Sequence, residues 1–247
     1  MDYQDALAVL GVGTAHPGGH DSTRRWVREI PWSRDMSVLE VGCGTGTTLL
    51  NIQRWTGCTV HGVDIRPKMI SKARERARRE GVPANWRVAD ATALPFSDES
   101  FDVVYTESVN VFLNPNEALK EYCRVLRPGG WYADVEMLAL GPVTPEWKKS
   151  AQDVYGARVV PYASEWKAYY HRAGFRDVHV VETRSVRPHM MGTGAAADMD
   201  DPHLADDTAF LDADVLDVLT MNAQWMEQHH HSLGYGIFVM RKPLAHS

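Results

Sequence analysis

The chain has 247 residues, of which 44% are hydrophobic and 23% charged, and its formal net charge at pH 7 is −6. This length suits one α/β domain, residues 1–247, with a sizeable core, and the negative charge argues against a nucleic-acid partner. We expect no signal peptide and no membrane span. Three cysteines without a paired spacing favour a reducing compartment, so we expect a soluble, cytoplasmic protein.

Residues 1–35 form an N-terminal arm ahead of the first predicted strand. A short helix is expected at its start, and the glycine- and proline-rich run 11–20 is expected to be a loop. Asp21 or Ser22 is positioned to cap a following helix, which ends at Pro31. The arm is either an ordered surface loop or a flap that folds over a ligand.

Residues 38–46, Val-Leu-Glu-Val-Gly-Cys-Gly-Thr-Gly, predict an apolar strand that runs into a glycine-rich turn and then a helix. Gly42, Gly44 and Gly46 remove β-carbons where the backbone turns sharply. The amides that open the next helix are donors beside a partial positive charge. This pattern is typical of a nucleotide-binding turn, but the G-x-G-x-x-G spacing of dinucleotide sites is absent. Glu40 before the first glycine opposes a phosphate and suits a positively charged ligand.

Polar side chains follow the next three predicted strands. The second strand ends in Asp64, about twenty residues beyond the turn, where a carboxylate can accept from ribose hydroxyls. Asp90 follows the third strand, where an acceptor can bind an adenine amino group, and the fourth strand leads to Thr106 and Glu107. Ligands of open α/β sheets bind beyond the carboxyl ends of the strands, so the sequence predicts one site at this edge.

The remaining periodicity predicts further elements in chain order. Helices are predicted at 47–55, 67–80, 116–126 and 210–228, with a break at 127–130 before a fifth strand at 131–138.

The segments VLEVGCGTG, GVDIRPKMI, VADATALPF, FDVVYTES and RVLRPGGWYADVE occur in this order. Together they resemble the motifs of class I S-adenosylmethionine (SAM)-dependent methyltransferases of the small-molecule type, over about residues 36–138. The resemblance implies an α/β fold with a doubly wound, mostly parallel sheet of seven strands. It places a helix at 164–173 and the last strands at 176–183 and 235–240, the final one antiparallel. SAM is then the expected cofactor, with S-adenosylhomocysteine as its product.

The resemblance also assigns a cofactor site by position. The matching positions are Glu40, Gly42, Cys43, Gly44, Gly46, Asp64, Ile65, Asp90, Ala91, Thr106 and Glu107. Glu40 and the turn correspond to the methionine end of SAM, and Asp64 corresponds to the ribose. Ile65 and Asp90 correspond to adenine, and Glu107 to the region near the sulfonium.

Methyl transfer from a sulfonium is an in-line displacement, so alignment of donor and acceptor can supply roughly 7–11 kcal/mol of the barrier. A general base adds about 10²–10⁴-fold when the acceptor must lose a proton. The candidate bases are His16, His20, His189 and Glu107, although a loop histidine also suits a structural role. We expect no metal, because the adjacent histidines 229–231 point in different directions on a helix end.

Two insertions, residues 141–163 and 187–232, depart from a minimal fold. With the arm they are expected to form lids over an acceptor pocket, or equally a protein-binding surface. We therefore expect a SAM-dependent methyltransferase, monomeric or homodimeric, that methylates an O, N or C nucleophile of a small-molecule acceptor. The alternatives are a non-catalytic SAM-binding regulatory protein and an NAD(P)-dependent oxidoreductase, against which the missing glycine motif argues.

Overall fold

A computed structural model describes residues 1–12, 15–186, 206 and 212–245. Its strands are β1 (Ser37–Val41), β2 (Thr59–Asp64), β3 (Asn85–Val88), β4 (Phe101–Glu107), β5 (Leu126–Ala139), β6 (Arg176–Ser185) and β7 (Leu233–Arg241). They form one seven-stranded sheet in the order β3-β2-β1-β4-β5-β7-β6. β7 runs antiparallel to β5 and β6, whereas the other neighbouring pairs are parallel. The expected α/β sheet with an antiparallel last strand is confirmed.

Helices flank this sheet. The described ones are α1 (Tyr3–Leu10), α2 (Gly19–Val27), α3 (Thr47–Thr56), α4 (Pro67–Glu80), α5 (Pro115–Val125), α6 (Pro145–Tyr155), α7 (Ala163–Ala173) and α8 (Ala213–His229), with a 3₁₀ helix at Asn110–Phe112. Residues 210 and 211 of the predicted last helix, and most of the insertion before it, lie outside the described residues. No helix in the described ranges combines the length and apolar character needed to cross a membrane.

Proline and glycine mark the boundaries of α3 and α4, as the sequence predicts. Pro67 occupies the first turn of α4, where no amide donor is needed, and Gly81 follows its last turn with a φ of +65°. Gly57 ends α3 in the same left-handed conformation, with a φ of +73°, which glycine adopts without a steric penalty. The predicted bounds of α4, 67–80, are confirmed.

The boundaries of α2 and β5 differ most from the prediction. α2 begins at Gly19, within the expected loop, and ends at Val27, ahead of Pro31; neither Asp21 nor Ser22 caps it. The reason is that Ser22 Oγ lies 2.9 Å from the Gly19 carbonyl, inside the helix rather than ahead of it. β5 begins at Leu126, so the predicted break at 127–130 lies within the strand, where its pairing with β4 shifts in register. Such an irregularity accommodates glycine and proline in a strand.

Helix α6, inside the insertion 141–163, was not predicted. Trp147, Ala151 and Tyr155 are buried on one side of it, and their four-residue spacing is the helical period. α6 packs on α8, and α8 packs on α1. These three helices stand beside the carboxyl ends of the strands, where they complete the wall of a cavity.

Candidate active site

The carboxyl ends of β1 to β4 open into one cavity of about 840 Å³. Ligand pockets span roughly 300–1,000 Å³, so this cavity is large. The predicted cofactor residues that line it are Glu40, Gly42, Cys43, Gly44, Asp64, Ile65, Asp90, Ala91 and Glu107. Gly46 and Thr106 are not part of its wall.

The three glycines of the turn all have positive φ, between +50° and +81°, but they face different surroundings. A β-carbon at Gly42 would lie 2.4 Å from Val109 Cγ2, and one at Gly46 would lie 2.3 Å from Trp86 Cη2. At Gly44 a β-carbon would meet nothing within 4 Å. Gly42 and Gly46 therefore allow close packing, whereas Gly44 leaves open space on the cavity wall.

Asp64 ends β2 with its carboxylate fixed by two backbone amides. Gly44 N–H donates to Oδ2 at 3.0 Å and Arg66 N–H donates to Oδ1 at 2.8 Å. Burial raises the pKa of Asp64, and these two amides act in the opposite direction. Ile65, next in the chain, is 55% exposed on the cavity wall, so this strand end presents a held carboxylate beside a bare apolar surface.

Asp90 lies after β3 and holds its own turn. Its Oδ1 accepts from the Thr92 amide at 2.8 Å and from Thr92 Oγ1 at 2.7 Å. These hydrogen bonds lower the pKa of Asp90. The carboxylate is thus ionised and oriented at the cavity edge, next to Ala91.

Glu40 at the end of β1 is only 4% exposed, and its Oε2 has no hydrogen-bond partner within the described ranges. Burial raises the pKa of Glu40 well above its usual value, and the charges of Glu107 and Asp64 raise it further. A buried carboxyl oxygen without a partner is costly. A cationic ligand beside it would supply the missing partner, so Glu40 fits a positively charged group.

Glu107 at the end of β4 accepts hydrogen bonds from residues of the N-terminal arm. Its Oε1 accepts from Thr23 Oγ1 at 2.7 Å and from Trp26 Nε1 at 3.0 Å, both on α2. Its Oε2 accepts from Thr48 Oγ1 on α3 at 2.9 Å. His16 Nε2 lies 3.0 Å from the same oxygen, although its ring N–H is not aligned for a hydrogen bond. The arm is thereby fastened to the cavity wall.

The candidate histidines separate clearly. His16 lines the cavity, and its Nδ1 lies 3.3 Å from Ser22 Oγ. His20 is not part of the cavity wall, and His189 lies outside the described residues. The histidines 229–231 end α8 as predicted, and no group of metal-ligating side chains occurs among the described residues.

The far wall of the cavity is aromatic and comes from three elements. Tyr3 of α1 lies 5.1 Å from Tyr155 of α6, and Phe112 of the 3₁₀ helix lies 5.3 Å from the same ring, measured between ring centroids. Arg66 holds the start of α1 beside the cavity through two ion pairs. Its Nε lies 3.0 Å from Asp5 Oδ1, and its Nη2 lies 3.2 Å from Asp2 Oδ2. Residues of the N-terminal arm thus line the cavity beside the strand ends.

Comparison with known proteins identifies the family. A family model described as a methyltransferase domain matches residues 38–130. The uncharacterized methyltransferase YodH of Bacillus subtilis (strain 168) is 32% identical over 240 residues, which cover 97% of this chain and 99% of the relative. The chain belongs to the class I SAM-dependent methyltransferases. The O-methyltransferase rstn1 of Aspergillus nomiae resembles this methyltransferase at 29% identity, over 74% of this chain and 89% of the relative.

A solved structure supports the fold of the enzyme. Phosphoethanolamine N-methyltransferase 2 of Haemonchus contortus, in complex with phosphomonomethylethanolamine and S-adenosylhomocysteine, matches with a TM-score of 0.76 at 20% identity. The match covers 98% of this chain and 57% of that chain. The expected cofactor, SAM, is confirmed for the methyltransferase.

The residues of this methyltransferase fit SAM on three observations. Gly44 leaves space against the backbone, and Glu40 offers an unpaired carboxylate oxygen to a ligand with two cationic centres. Ile65 offers a bare apolar surface to a flat base.

Thr106 lies away from the methyltransferase's cavity. Its Oγ1 is buried 2.7 Å from both Tyr132 Oη and Asp134 Oδ1, and Asn110 Nδ2 approaches at 3.2 Å. Sequence reasoning also missed the residues that hold Glu107, Thr23 among them, because their convergence depends on how α2 and α3 dock rather than on any local pattern.

Proposed function

We propose that this methyltransferase moves the methyl group of SAM to an oxygen, nitrogen or carbon nucleophile of a small-molecule acceptor. The supporting observation is the 840 Å³ cavity, which has the strand-end carboxylates on one side and residues of α1, α6 and α8 on the other. A walled pocket of this size suits a small molecule better than a polymer. The acceptor would lie between the strand ends and the aromatic far wall.

The strand ends would hold the donor. Glu40 and the backbone around Gly44 would bind the methionine end, and Asp64 would accept from the ribose hydroxyls. Ile65 would cover the adenine ring, and Asp90 would accept from its amino group. SAM supplies an electrophilic methyl group, and the protein's task is to orient it towards the acceptor and exclude water.

We assign the general base to His16, with Glu107 as the residue that positions it. Three donors bind the Glu107 carboxylate at 2.7–3.0 Å, so it has little capacity left to accept a substrate proton. If His16 Nδ1 donates to Ser22 Oγ, Nε2 is left to take the acceptor's proton. The adjacent Glu107 carboxylate would then stabilise the imidazolium that forms.

Transfer of a labelled methyl group tests the proposal. The enzyme is incubated with SAM carrying a trideuteromethyl group and a cell extract, and small molecules and polymers are then separated for mass spectrometry. We expect the label on a small molecule. Label confined to protein or nucleic acid would contradict the proposal, and S-adenosylhomocysteine binding without any transfer would favour the non-catalytic alternative.

Asp64→Ala provides the matched inactive control. It removes a charge-assisted hydrogen bond to the donor, so the affinity for S-adenosylhomocysteine should fall by roughly 1.5–3 kcal/mol. Calorimetry measures this loss, and Asp98→Ala, an exposed change at the opposite end of the sheet, should bind normally. Unchanged affinity in Asp64→Ala would remove Asp64 from the donor site.

The proposal includes a cytoplasmic location. Cys43, Cys58 and Cys123 are all free thiols, and free cysteines suit a reducing compartment. Cell fractionation with an antibody against the chain tests this assignment, and recovery from an oxidising compartment would contradict it.

A further inference from the structure

We infer that the acceptor has an aromatic or similarly flat apolar body and carries no phosphate or carboxylate group. This inference rests on the methyl transfer proposed above and concerns the acceptor side of the same cavity. That side is formed by Tyr3, Leu7, Phe112, Tyr155, Val218 and Met221, and we refer to it as the acceptor wall.

The acceptor wall is apolar, with three rings at its centre. Tyr3, Phe112 and Tyr155 are inclined by 34° to one another in each neighbouring pair. With centroids 5.1 and 5.3 Å apart these rings pack against one another, and together they give the cavity an apolar, aromatic wall against which a flat molecule can pack. Burial raises the pKa of Tyr3 to about 12, so its hydroxyl stays neutral and can donate a hydrogen bond without attracting or repelling charge.

The charges around the cavity disfavour an anion. Seven acidic side chains line its described part: Asp2, Asp5, Glu40, Asp64, Asp90, Glu107 and Asp153. Arg66 is the only lysine or arginine among the described lining residues, and its guanidinium is already engaged by Asp2 and Asp5. A phosphate or carboxylate would meet a negative field with no uncommitted side-chain cation in the described part of the wall.

Five loop amides near the cavity are also taken. Those of Gly44 and Arg66 donate to Asp64. The amides of Val109, Asn110 and Val111 donate to Glu136 Oε2 at 2.6–3.3 Å. Backbone amides of turns are common anion sites, but the protein's own carboxylates occupy these five.

Three naphthalene probes that differ mainly in charge test the inference. S-adenosylhomocysteine is first titrated into the enzyme by calorimetry. With that ligand saturating, 2-naphthol, 2-naphthylmethylammonium and 2-naphthyl phosphate are titrated separately. We expect 2-naphthol to bind at least tenfold more tightly than the phosphate ester, and the comparison with the ammonium probe shows whether the wall prefers a neutral or a cationic acceptor.

The outcomes separate this inference from the function on which it rests. Failure of S-adenosylhomocysteine to bind overturns the proposed function and this inference with it. If S-adenosylhomocysteine binds, equal or tighter binding of 2-naphthyl phosphate overturns the inference alone. Absence of binding by all three probes does the same, because the acceptor wall then takes no flat molecule.

A charge variant isolates the electrostatic part. Gln152 is exposed on α6 and lines the cavity, so Gln152→Lys adds a cation at the acceptor wall. We expect the Kd of 2-naphthyl phosphate to fall at least threefold and that of 2-naphthol to change less than twofold. Ser97→Lys adds the same charge to an exposed loop outside the cavity and should change neither; a similar response of both variants would overturn the electrostatic argument.

A ring variant isolates the stacking part. Phe112 is only partly buried, so Phe112→Leu should leave the fold intact and weaken 2-naphthol at least fivefold without changing S-adenosylhomocysteine binding. Tyr169→Leu is the control, because that ring lies under Arg172 outside the cavity. Unchanged affinity for 2-naphthol in Phe112→Leu would overturn the role of the aromatic surface.

Discussion

A methyl group added at Gly44 and one added at Gly46 would meet opposite surroundings, although the two residues lie two positions apart. Both have a left-handed backbone, with φ of +50° and +81°, so alanine costs roughly 1–2 kcal/mol at either position. At Gly46 the new methyl would also overlap the buried Trp86 ring. At Gly44 it would project into the open space of the cavity.

Gly46→Ala should therefore destabilise the apoprotein by roughly 2–5 kcal/mol, because overpacking adds about 1–3 kcal/mol to the backbone strain. Gly44→Ala should be destabilised only by the backbone strain, roughly 1–2 kcal/mol. It should nevertheless bind S-adenosylhomocysteine much more weakly. Urea unfolding gives the first quantity and calorimetry the second. Wild-type affinity in Gly44→Ala would show that no ligand approaches this backbone.

His16→Gln tests the assigned base. It should lower turnover by about 10²–10⁴-fold and leave the affinity for S-adenosylhomocysteine within twofold. His20→Gln, outside the cavity wall, is the control. Normal turnover in His16→Gln would refute the assignment.

Thr106 and Glu107 show which part of the site could be predicted from the sequence. Neighbouring residues of a strand point to opposite faces, so Thr106 and Glu107 on β4 cannot both face the cavity. The structure follows this rule, since Glu107 lines the cavity and Thr106 is buried against Asp134. The strand ends could be predicted because the signals are local, whereas the contact between Trp26 and Glu107 joins residues 81 positions apart.

At the scale of elements, β5 carries two fully buried acids on one face, Asp134 and Glu136. Asp134 accepts from Thr106 Oγ1, Asn110 Nδ2 and Tyr170 Oη at 2.7–2.8 Å. Glu136 accepts the amides of residues 109–111, and Val109 in that loop packs on Gly42. This strand therefore holds the loop after β4 in place, and through it part of the cavity wall.

The buried acids make stability depend on pH. Burial raises the pKa of Asp134 from 3.8 to about 6, so the folded chain holds a proton there that the unfolded chain has released. Stability then falls as pH rises from about 4 to 6 and stays lower above that range. Burial and the charge of Asp134 also raise the pKa of Glu136. Glu136 therefore also lowers the stability of the folded state as pH rises.

Asp134→Asn should remove this loss. Relative to the variant, the wild type should lose on the order of 2–3 kcal/mol between pH 4 and pH 6.5, as measured by urea unfolding at each pH. Asp98→Ala, an exposed change, should track the wild type. Parallel stability curves for wild type and Asp134→Asn would show that Asp134 does not titrate in this range.

At the scale of the whole molecule, the sheet was predictable and its cover was not. The signals for strands, and the glycines and prolines that bound helices, each lie within about ten residues. The strands β1 to β5 could therefore be placed from the sequence. The docking of α1 depends on distant partners: Ala6 and Leu10 pack with Val215, and Leu7 packs with Met69. No local pattern identifies such partners, and this is why the arm's role stayed open between two alternatives.

Two kinds of contact hold α1 over the cavity, and their strengths differ. The pairs of Arg66 with Asp2 and Asp5 are partly exposed, and such pairs contribute about 0–1 kcal/mol. Tyr3 contributes an aromatic pair with Tyr155, about 0.5–1.5 kcal/mol beyond its burial, and burial of a large side chain adds roughly 1.5–3 kcal/mol. The ring should therefore dominate the closure of α1.

Hydrogen exchange of the α1 amides measures this closure directly. Arg66→Ala should lower their protection by less than about fivefold, and Tyr3→Ala by more than about tenfold, following the free energies of the two contacts. Salt near 1 M, where the screening length is about 3 Å, should reduce protection in the wild type and leave Arg66→Ala unchanged. Arg78→Ala, which removes an exposed pair with Glu75, should match the wild type. A larger effect of Arg66→Ala than of Tyr3→Ala would mean that charge, not aromatic packing, keeps α1 over the cavity.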